Sequence, residues 1–312
     1  MNPIGGSEII KAQLISQLSE NELEGINLVT SICHPQFVQK DKINIVWQQL
    51  SYDQPNVQYM RERKYVDSID YFVYNSHWCF NRFRDHFKIP EYKSFVIKNS
   101  SFTYDTPIIK KMDGRLKLIY ISTPWRGLEV LVKCIEKLNK TRDDFTLDVY
   151  SSTKIYGTEF EKAEGDNFKK LFDLCKNTKN INYMGYATND EIREALKSTH
   201  ILAYPCIFEE TSCIAAIEAM MAGCYVVTTN YGALPETCGD FATMIEFNSS
   251  GIQLINNFTS ALNTVMDNYK NNVYKEDLEL QVKFYKKYYS WETRIEEWKG
   301  FLNYVRTEKE TH

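Results

Sequence analysis

From residue 116 to residue 247 the chain repeats one theme, in which a short run rich in β-branched and aromatic residues is followed by a stretch with helical spacing. The runs are LKLIYIS (116–122), FTLDVYS (145–151), NINYMG (180–185), HILAYP (200–205), CYVVTT (224–229) and FATMIEF (241–247). Strands joined through helices run parallel, because each helix returns the chain to the edge it left. The alternation therefore predicts a parallel sheet covered by helices. Between the runs, RGLEVLVKCIEKL (126–138) places Leu128, Leu131, Val132 and Ile135 at three-and-four spacing, and NDEIREALKST (189–199) is expected to be a helix capped by Asn189. This half reads as a Rossmann-like domain.

The first hundred residues repeat the theme less regularly. A helix follows GGSE (5–8), strands are expected near INLVTS (26–31), INIVWQ (43–48), YFVYNS (71–76) and SFVIKN (94–99), and a helix precedes the last of them. A chain of 312 residues is long for one core and comfortable for two. The segment SFTYDTPIIKKMDGR (101–115), with Pro107 and Gly114 and no sustained period, is the expected linker. The domains are accordingly expected at 1–108 and 109–287, and the sequence beyond about 275 is helical and aromatic to its end.

Composition excludes several classes. With 43% hydrophobic and 25% charged residues the chain is a folding one, and a net charge of −4 does not suit a polyanion partner, so no nucleic-acid partner is expected. The densest basic run, RERK (61–64), reads as a solvated face. Eight cysteines at 33, 79, 134, 175, 206, 213, 224 and 238 form no C-x-x-C pair, which is consistent with reduced thiols and spells out no zinc site. No leader-like segment opens the sequence and no apolar run is long enough to span a bilayer, so a cytoplasmic protein with at most peripheral membrane contact is expected.

The stretch FEETSCIAAIEAMMAGCYVV (208–227) sets the functional question. Glu218 lies in a segment made almost wholly of Ala, Ile and Met, where a carboxylate has no polar face to share. The order is strand, loop, helix, strand, with Ser212 expected as N-cap and Gly223 as the stop. Such a loop leaves the carboxyl edge of a parallel sheet, and the helix after it points unpaired N–H groups into the crevice, here expected from Cys213, Ile214 and Ala215. A phosphate is the natural guest. Glu218, one turn in and leaning toward the helix start, is suited to accept hydrogen bonds from a diol such as a ribose, and Glu210 from a second polyol.

These residues resemble the retaining GT-B glycosyltransferases of glycosyltransferase family 4 (glycosyl transferases group 1). The resemblance rests on E-x7-E from Glu210 to Glu218 with EAMMAGCYVVTTNYGALPE (218–236), on GGSE (5–8), VIKNS (96–100) and RGLEVLV (126–132), and on SWETRIEEW (290–298). It implies an α/β fold of the GT-B kind, two Rossmann-like domains facing across a cleft, with the terminal helix, about 288–312, packing back on the first domain. It implies a metal-independent hexosyl- or related glycosyltransferase (EC 2.4 type) that needs no cofactor. The donor would be a nucleotide sugar, expected as a UDP- or GDP-sugar, and the acceptor hydroxyl would belong to a glycan, a protein or a lipid-linked molecule.

Residue by residue, the resemblance gives Glu218 the ribose and Glu210 the hydroxyls of the donor sugar. The loop Thr211, Ser212, Cys213 and Ile214 would meet the diphosphate, and Arg126 the charge that builds on it. Gly5 and Gly6 would bring N-terminal backbone close. Four departures from the family pattern stand out. Ile121 takes the place of a second cation, for which Lys154 is the candidate substitute. Cys213 replaces a glycine; no strand precedes the glycine loop in MNPIGGSE, so either the sheet lacks its first strand or the start site differs from that of relatives; and Gln48 and Gln49 stand where relatives often carry a histidine. Gln49 and Asp53 are therefore the acceptor-side candidates, while His77 reads as a helix-start residue. A catalytically silent nucleotide-sugar or glycan-binding protein with this fold is the alternative, separated from the enzyme by whether binding is accompanied by transfer or donor hydrolysis. A GT-B epimerase would need a carboxylate acid/base pair facing the sugar, and only the Glu210 side supplies one.

Overall fold

Each β-rich run named above contains a strand, and all ten strands of the described residues pair in parallel. The computed structural model describes residues 6–32, 34–104, 110, 112, 114–154 and 157–311; the side chains at 35, 158–160, 162–165, 310 and 311 are not described. Gly5, Pro107 and Cys33 lie outside the described residues. The chain divides into two compact units, whose described residues are 6–101, 210–212 and 288–311 in the first and 102–209 and 213–287 in the second.

The first unit begins with α1 (Gly6–Gln17), α2 (Glu20–Leu23), β1 (Ile26–Thr30) and β2 (Ile43–Gln48). It continues with α3 (Arg63–Asp67), β3 (Tyr71–Tyr74), α4 (His77–Phe87) and β4 (Ser94–Val96). Among the described residues no strand precedes α1, and the four strands lie side by side in chain order. All six residues of β2 are buried, as suits a strand covered on both faces. On one face Phe72, Tyr74, Phe83 and Phe87 form a cluster with Val57 and Met60. His77 is the first residue of α4, whose N-cap Ser76 accepts from the Cys79 amide at 3.0 Å. The RERK run at 61–64 is exposed throughout, its Arg63 paired with Asp67.

The second unit carries β5 (Leu116–Ile121), α5 (Leu128–Leu138), β6 (Phe145–Tyr150), α6 (Thr158–Asn177), β7 (Ile181–Tyr183) and α7 (Asn189–Ser198). Then follow β8 (Ile201–Tyr204), α8 (Ile214–Met221), β9 (Tyr225–Thr229), α9 (Leu234–Cys238), β10 (Ala242–Ile245), α10 (Gly251–Lys270) and α11 (Lys275–Tyr288). Its sheet order is β10-β9-β8-β5-β6-β7. The chain builds outward from β5 through β6 and β7, then returns to lay β8 on the other side of β5. This makes the gap between the carboxyl ends of β5 and β8 a topological switch point, where open parallel sheets bind ligands.

Local chemistry explains the element ends. Thr188, not Asn189, caps α7: its hydroxyl accepts from the Glu191 amide while Glu191 Oε2 accepts from the Thr188 amide at 2.7 Å. This reciprocal pair satisfies two donors at once, which Asn189 could not do with its neighbours. At the far end of α8, Gly223 adopts φ +72°, its amide donates to Met220 O and the Cys224 amide to Ala219 O, so the helix stops at the expected glycine. Gln281 on α11 reaches the same turn, donating to Met220 O at 2.9 Å and Cys224 O at 3.1 Å. The seven described cysteines are buried and none is in a disulfide. No helix among the described residues is long and apolar enough to cross a membrane.

The last helix, α12 (Trp291–Thr311), belongs to the first unit. Trp298 and Trp47 of β2 are both fully buried, with ring centroids 5.0 Å apart in an edge-to-face contact. Phe301 meets Tyr71 and Phe95, and Arg306 donates to the carbonyls of Asn21, Glu22 and Glu24. Trp298→Ala removes the largest of these contacts and is expected to cost about 3–5 kcal/mol, read from the urea midpoint of the transition that reports the first unit.

In the second unit, Arg142 grips Asp144 with two hydrogen bonds of 2.8 Å and Lys270 of α10 joins it. The Arg142 hydrogen bonds, with the smaller help of Lys270, hold the Asp144 carboxyl below the usual carboxylate range against the opposing effect of burial. A carboxyl whose folded value lies below its unfolded value of about 3.9 adds stability above that pH, and the gain disappears as pH falls through the folded value. The stability gap between the wild type and Asp144→Asn, followed by thermal unfolding, should thus be full at pH 7 and shrink on acidification below about pH 4.

Candidate functional site

In the second unit the loops at the switch point are held together by a close backbone approach. Gly127, with φ +120°, is the N-cap of α5, and a Cβ built on it would stand 2.1 Å from the Pro205 carbonyl oxygen. No other residue fits there without moving one of the two loops. One residue earlier, the Arg126 carbonyl accepts from the Ile207 amide at 3.3 Å, and Thr229 at the end of β9 donates from its hydroxyl to Cys206 O at 2.7 Å. The loops after β5 and β8 therefore form one surface at the carboxyl edge. Arg126 ends a 3₁₀ turn, Pro124–Arg126, with its guanidinium 4.4 Å from the centre of the Phe208 ring.

The other expected cation, Lys154, follows β6 at the same edge; it is exposed and sits 5.3 Å from the Tyr186 ring centre, Tyr186 following β7. Ile121 is the last residue of β5 and is half-buried. The hydroxyls of Thr123 after β5 and Ser151 after β6 are buried and meet no hydrogen-bond partner among the described residues. The edge thus presents Arg126 and Lys154 together with unspent hydroxyls.

The helix at the centre of the sequence argument differs at its start. Ser212 is not its cap: α8 begins at Ile214, and Cys213 occupies the N-cap position with φ 63° and ψ 75° and no side-chain cap. A left-handed residue there turns the chain sharply into the helix, which a capping serine in extended conformation does not do. The conformation is one that glycine adopts freely, so Cys213 carries a strain that a glycine there would avoid. The amides of Ala216 and Ile217 both reach the Cys213 carbonyl, so the donors left at the helix mouth come from Ile214 and Ala215.

Glu218 stands one turn into α8, with its side chain 16% exposed. Its carboxylate faces a cation: Arg193 Nη2 of α7 lies 3.8 Å from Glu218 Oε1, and the Arg193 side chain is itself 18% exposed. Arg193 Nη1 donates to Asp190 at 3.1 Å, the guanidinium lies 4.7 Å from the Phe102 ring centre, and its main-chain carbonyl accepts from the Tyr104 hydroxyl at 3.1 Å. Burial first, and then the Glu218 charge, push the Tyr104 phenol up well beyond its ordinary value. Neither Arg193 nor Tyr104 is named by any motif. The apolar setting of Glu218 called for a cation, but no local pattern tells which of the many lysines and arginines answers.

Residues 210–212 group with the first unit, where Glu210, Thr211 and Ser212 are all buried. In that unit one polar residue follows each strand, and the four meet: Ser31 after β1, Gln49 after β2, Asn75 after β3 and Asn99 after β4. Gln49 and Asn99 exchange side-chain amide hydrogen bonds at 3.0 and 2.9 Å, Asn75 donates to Gln49 Oε1 at 3.1 Å, and the Gln49 main-chain N–H donates to the Ser31 hydroxyl at 3.1 Å. The Thr211 hydroxyl joins them, accepting from Asn75 at 3.0 Å and donating to the Gln49 carbonyl at 3.2 Å. Asp53 is exposed and lies outside this cluster. Gly6 opens α1, while Gly5 falls outside the described residues.

Two substitutions should move stability in opposite directions. Gly127→Ala forces a methyl group against a carbonyl and is expected to cost about 3 kcal/mol or more. Cys213→Gly relieves a left-handed non-glycine residue and should gain about 1 kcal/mol. Denaturant unfolding of the two variants beside the wild type measures both.

Solved structures share the fold. A glycosyltransferase from Rickettsia africae, 16% identical, superimposes with a TM-score of 0.71 over 96% of this chain and 81% of its own. Anabaena HepE in complex with UDP, 11% identical, gives 0.66 over 96% and 82%. The pneumococcal O-GlcNAc transferase GtfA, solved with UDP and GlcNAc, is 14% identical and gives 0.65 over 96% of this chain and 60% of its own. No curated protein matches the sequence significantly. The sequence pattern of the family described as glycosyl transferases group 1 matches residues 109–286, which is 178 of the 312 residues and takes in β5, Arg126, the β8 loop, Arg193 and Glu218. The chain is a member of the glycosyl transferases group 1 family, and its two α/β units have the GT-B fold of these glycosyltransferases.

Proposed function

We propose that the protein is a retaining, metal-independent glycosyltransferase of family 4 that moves a hexosyl or related group from a nucleotide sugar, UDP- or GDP-linked, to an acceptor hydroxyl on a glycan, a protein or a lipid-linked molecule. The observation that carries the reading is Glu218: a carboxylate in an apolar helix, one turn from an open N-terminus, at the topological switch point of a parallel sheet. A carboxylate cannot share a phosphate's place, but it can accept two hydrogen bonds from a ribose diol beside it. That HepE and GtfA were solved with UDP supports a nucleoside diphosphate as the common part of the ligand.

In this reading the Ile214 and Ala215 amides, with the helix dipole behind them, receive the diphosphate. Arg126, supported by Lys154, balances the charge that grows on it as the sugar departs. Thr211, Ser212 and Cys213 supply the loop that brings the chain to that mouth. Glu210 accepts hydrogen bonds from the donor-sugar hydroxyls, and Gly5 and Gly6 give the close N-terminal approach. The bond between the anomeric carbon and the diphosphate oxygen breaks, a bond to the acceptor oxygen forms on the same face, and the acceptor proton passes to a diphosphate oxygen. No titratable side chain is required on the acceptor side for that transfer. Gln49, with its neutral amide partners, and Asp53 are the acceptor-side candidates.

The catalytically silent binding protein is the second reading, favoured by Ile121 in place of a second cation and by the strained Cys213. The two part on turnover. With a nucleotide sugar that stabilises the protein thermally, the transferase also releases nucleoside diphosphate, while the binding protein gives the thermal shift alone.

Glu218→Gln should weaken nucleoside diphosphate binding about 10- to 100-fold, the loss of one or two hydrogen bonds to a charged group. Glu210→Ala should leave that affinity within about twofold, since the diphosphate and ribose contacts remain, and lower turnover about 100-fold, or about 2.7 kcal/mol of barrier. Calorimetric binding and donor-consumption assays read the two separately. Unchanged binding and transfer in both variants would sink the assignment.

A further inference from the structure

We infer that the second unit holds another ligand site, away from the edge proposed for the nucleotide, which takes a single-chain amphipathic anion: an apolar chain ending in a carboxylate or a phosphate. The site is a cavity of about 610 Å³, a size that accommodates a small organic molecule. It lies against Met221, Ala222 and Gly223 at the C-terminal end of α8, whereas the helix mouth at Ile214 is at the other end. Its apolar wall has parts on three elements. Met221 of α8 and Tyr269 of α10 are almost fully buried, while Leu278 and Val282 of α11 are half-buried. In the turn before α11 the Tyr274 ring is fixed by stacking on Tyr225, with centroids 3.9 Å apart.

The charges on this wall are mostly of one sign. Lys275, Leu278, Val282 and Lys286 follow one another at three- and four-residue steps, so one face of α11 brings basic and apolar side chains to the cavity together, with Lys283 beside them. Lys110 adds a fourth ammonium, and against the four stands one carboxylate, Glu279. None of these lysines forms an ion pair among the described residues. Nor are they spent on the end of α8, where Gln281 takes the Met220 carbonyl at 2.9 Å. Lys110 differs from the lysines of α11 in reaching inside the protein: its ammonium donates to the Leu196 carbonyl and, at 3.4 Å, to the sulfur of the fully buried Cys224. An ammonium has three donors, so one N–H meets no acceptor among the described residues. Burial holds the Lys110 pKa below the ordinary lysine value, because the charge is desolvated and no carboxylate offsets it. An anion in the cavity supplies the offset, a neutral chain does not, and a cation is repelled. An anion without a chain would leave the apolar wall in water.

Calorimetry on the whole chain with decanoate, decyl phosphate, decanol and decyltrimethylammonium, each below the concentration at which it forms micelles, tests the site. The two anions should bind one to one and about 10-fold or more tighter than the alcohol, the worth of a hydrogen bond to a charged group. The cation should not bind, and neither should acetate or inorganic phosphate at the same concentrations. Leu278→Trp, which fills the cavity, should abolish anion binding, and Lys110→Met should weaken it about 10-fold. Should Lys110→Met not fold, the exposed change Lys283→Glu decides, with an expected loss of about threefold or more. Equal affinity for the alcohol and the anions overturns the charged half of the site and with it the proposal. Anion binding that survives Leu278→Trp puts the ligand elsewhere and overturns it too, as does the failure of every probe to bind. Sedimentation with phosphatidylglycerol vesicles in the absence of decanoate binding would make this face a membrane surface instead of a closed ligand site, and the proposal would then be wrong.

Discussion

The approach of Gly127 to the Pro205 carbonyl is the constraint on which the second unit's site depends. Two adjacent strands end at β5 and β8, and their loops can share one surface only if the backbone of one comes nearly into contact with the other. Glycine permits this, and every later feature follows from it: Arg126 leaves the turn beside Phe208, the chain crosses to Cys213, and α8 opens toward the same edge. Charge and hydrogen bonding then act on a geometry already set by steric exclusion. The order matters for interpreting variants, because a change at Gly127 alters the loop positions whereas a change at Arg126 removes a charge and its contact with Phe208.

The large-scale organisation was legible because it depends on periodicity. Each β-rich run yields its strand, and Gly223 ends its helix as expected, since an open turn with positive φ leaves glycine as the natural residue. The helix starts were less legible. Ser212 is a better cap by propensity than Cys213, but the chain direction into α8 requires a left-handed residue, and tertiary geometry overrode the local preference. At α7 the signal was present and misplaced by one residue: Thr188 and Glu191 form the T-x-x-E pattern that Asn189 lacks.

Side-chain partnership was the least legible layer. Glu218 pairs with a residue 25 positions earlier, and the neighbours of Gln49 come from the ends of three other strands. Such contacts are set by sheet order, and sheet order depends on a crossover that no local pattern reveals. The amide cluster also reframes the absent histidine. Where the resemblance led one to expect an ionisable ring, the first unit has a network of neutral donors and acceptors whose hydrogen bonding does not change over the physiological pH range.

The place of α12 has a consequence for how the protein is made. The first unit is the earlier part of the chain, yet Trp298, Phe301, Leu302 and Val305 of its core are synthesised only after the second unit, 102–287, has been made. Until they emerge, one face of the first sheet, Trp47 included, has no cover. The second unit apart from its neighbours 210–212 is a continuous stretch, 102–287, and can close as soon as α11 has left the ribosome. Synthesis and assembly thus run in opposite orders: the half that begins first must wait for α12, holding an uncovered sheet face while the half behind it finishes folding.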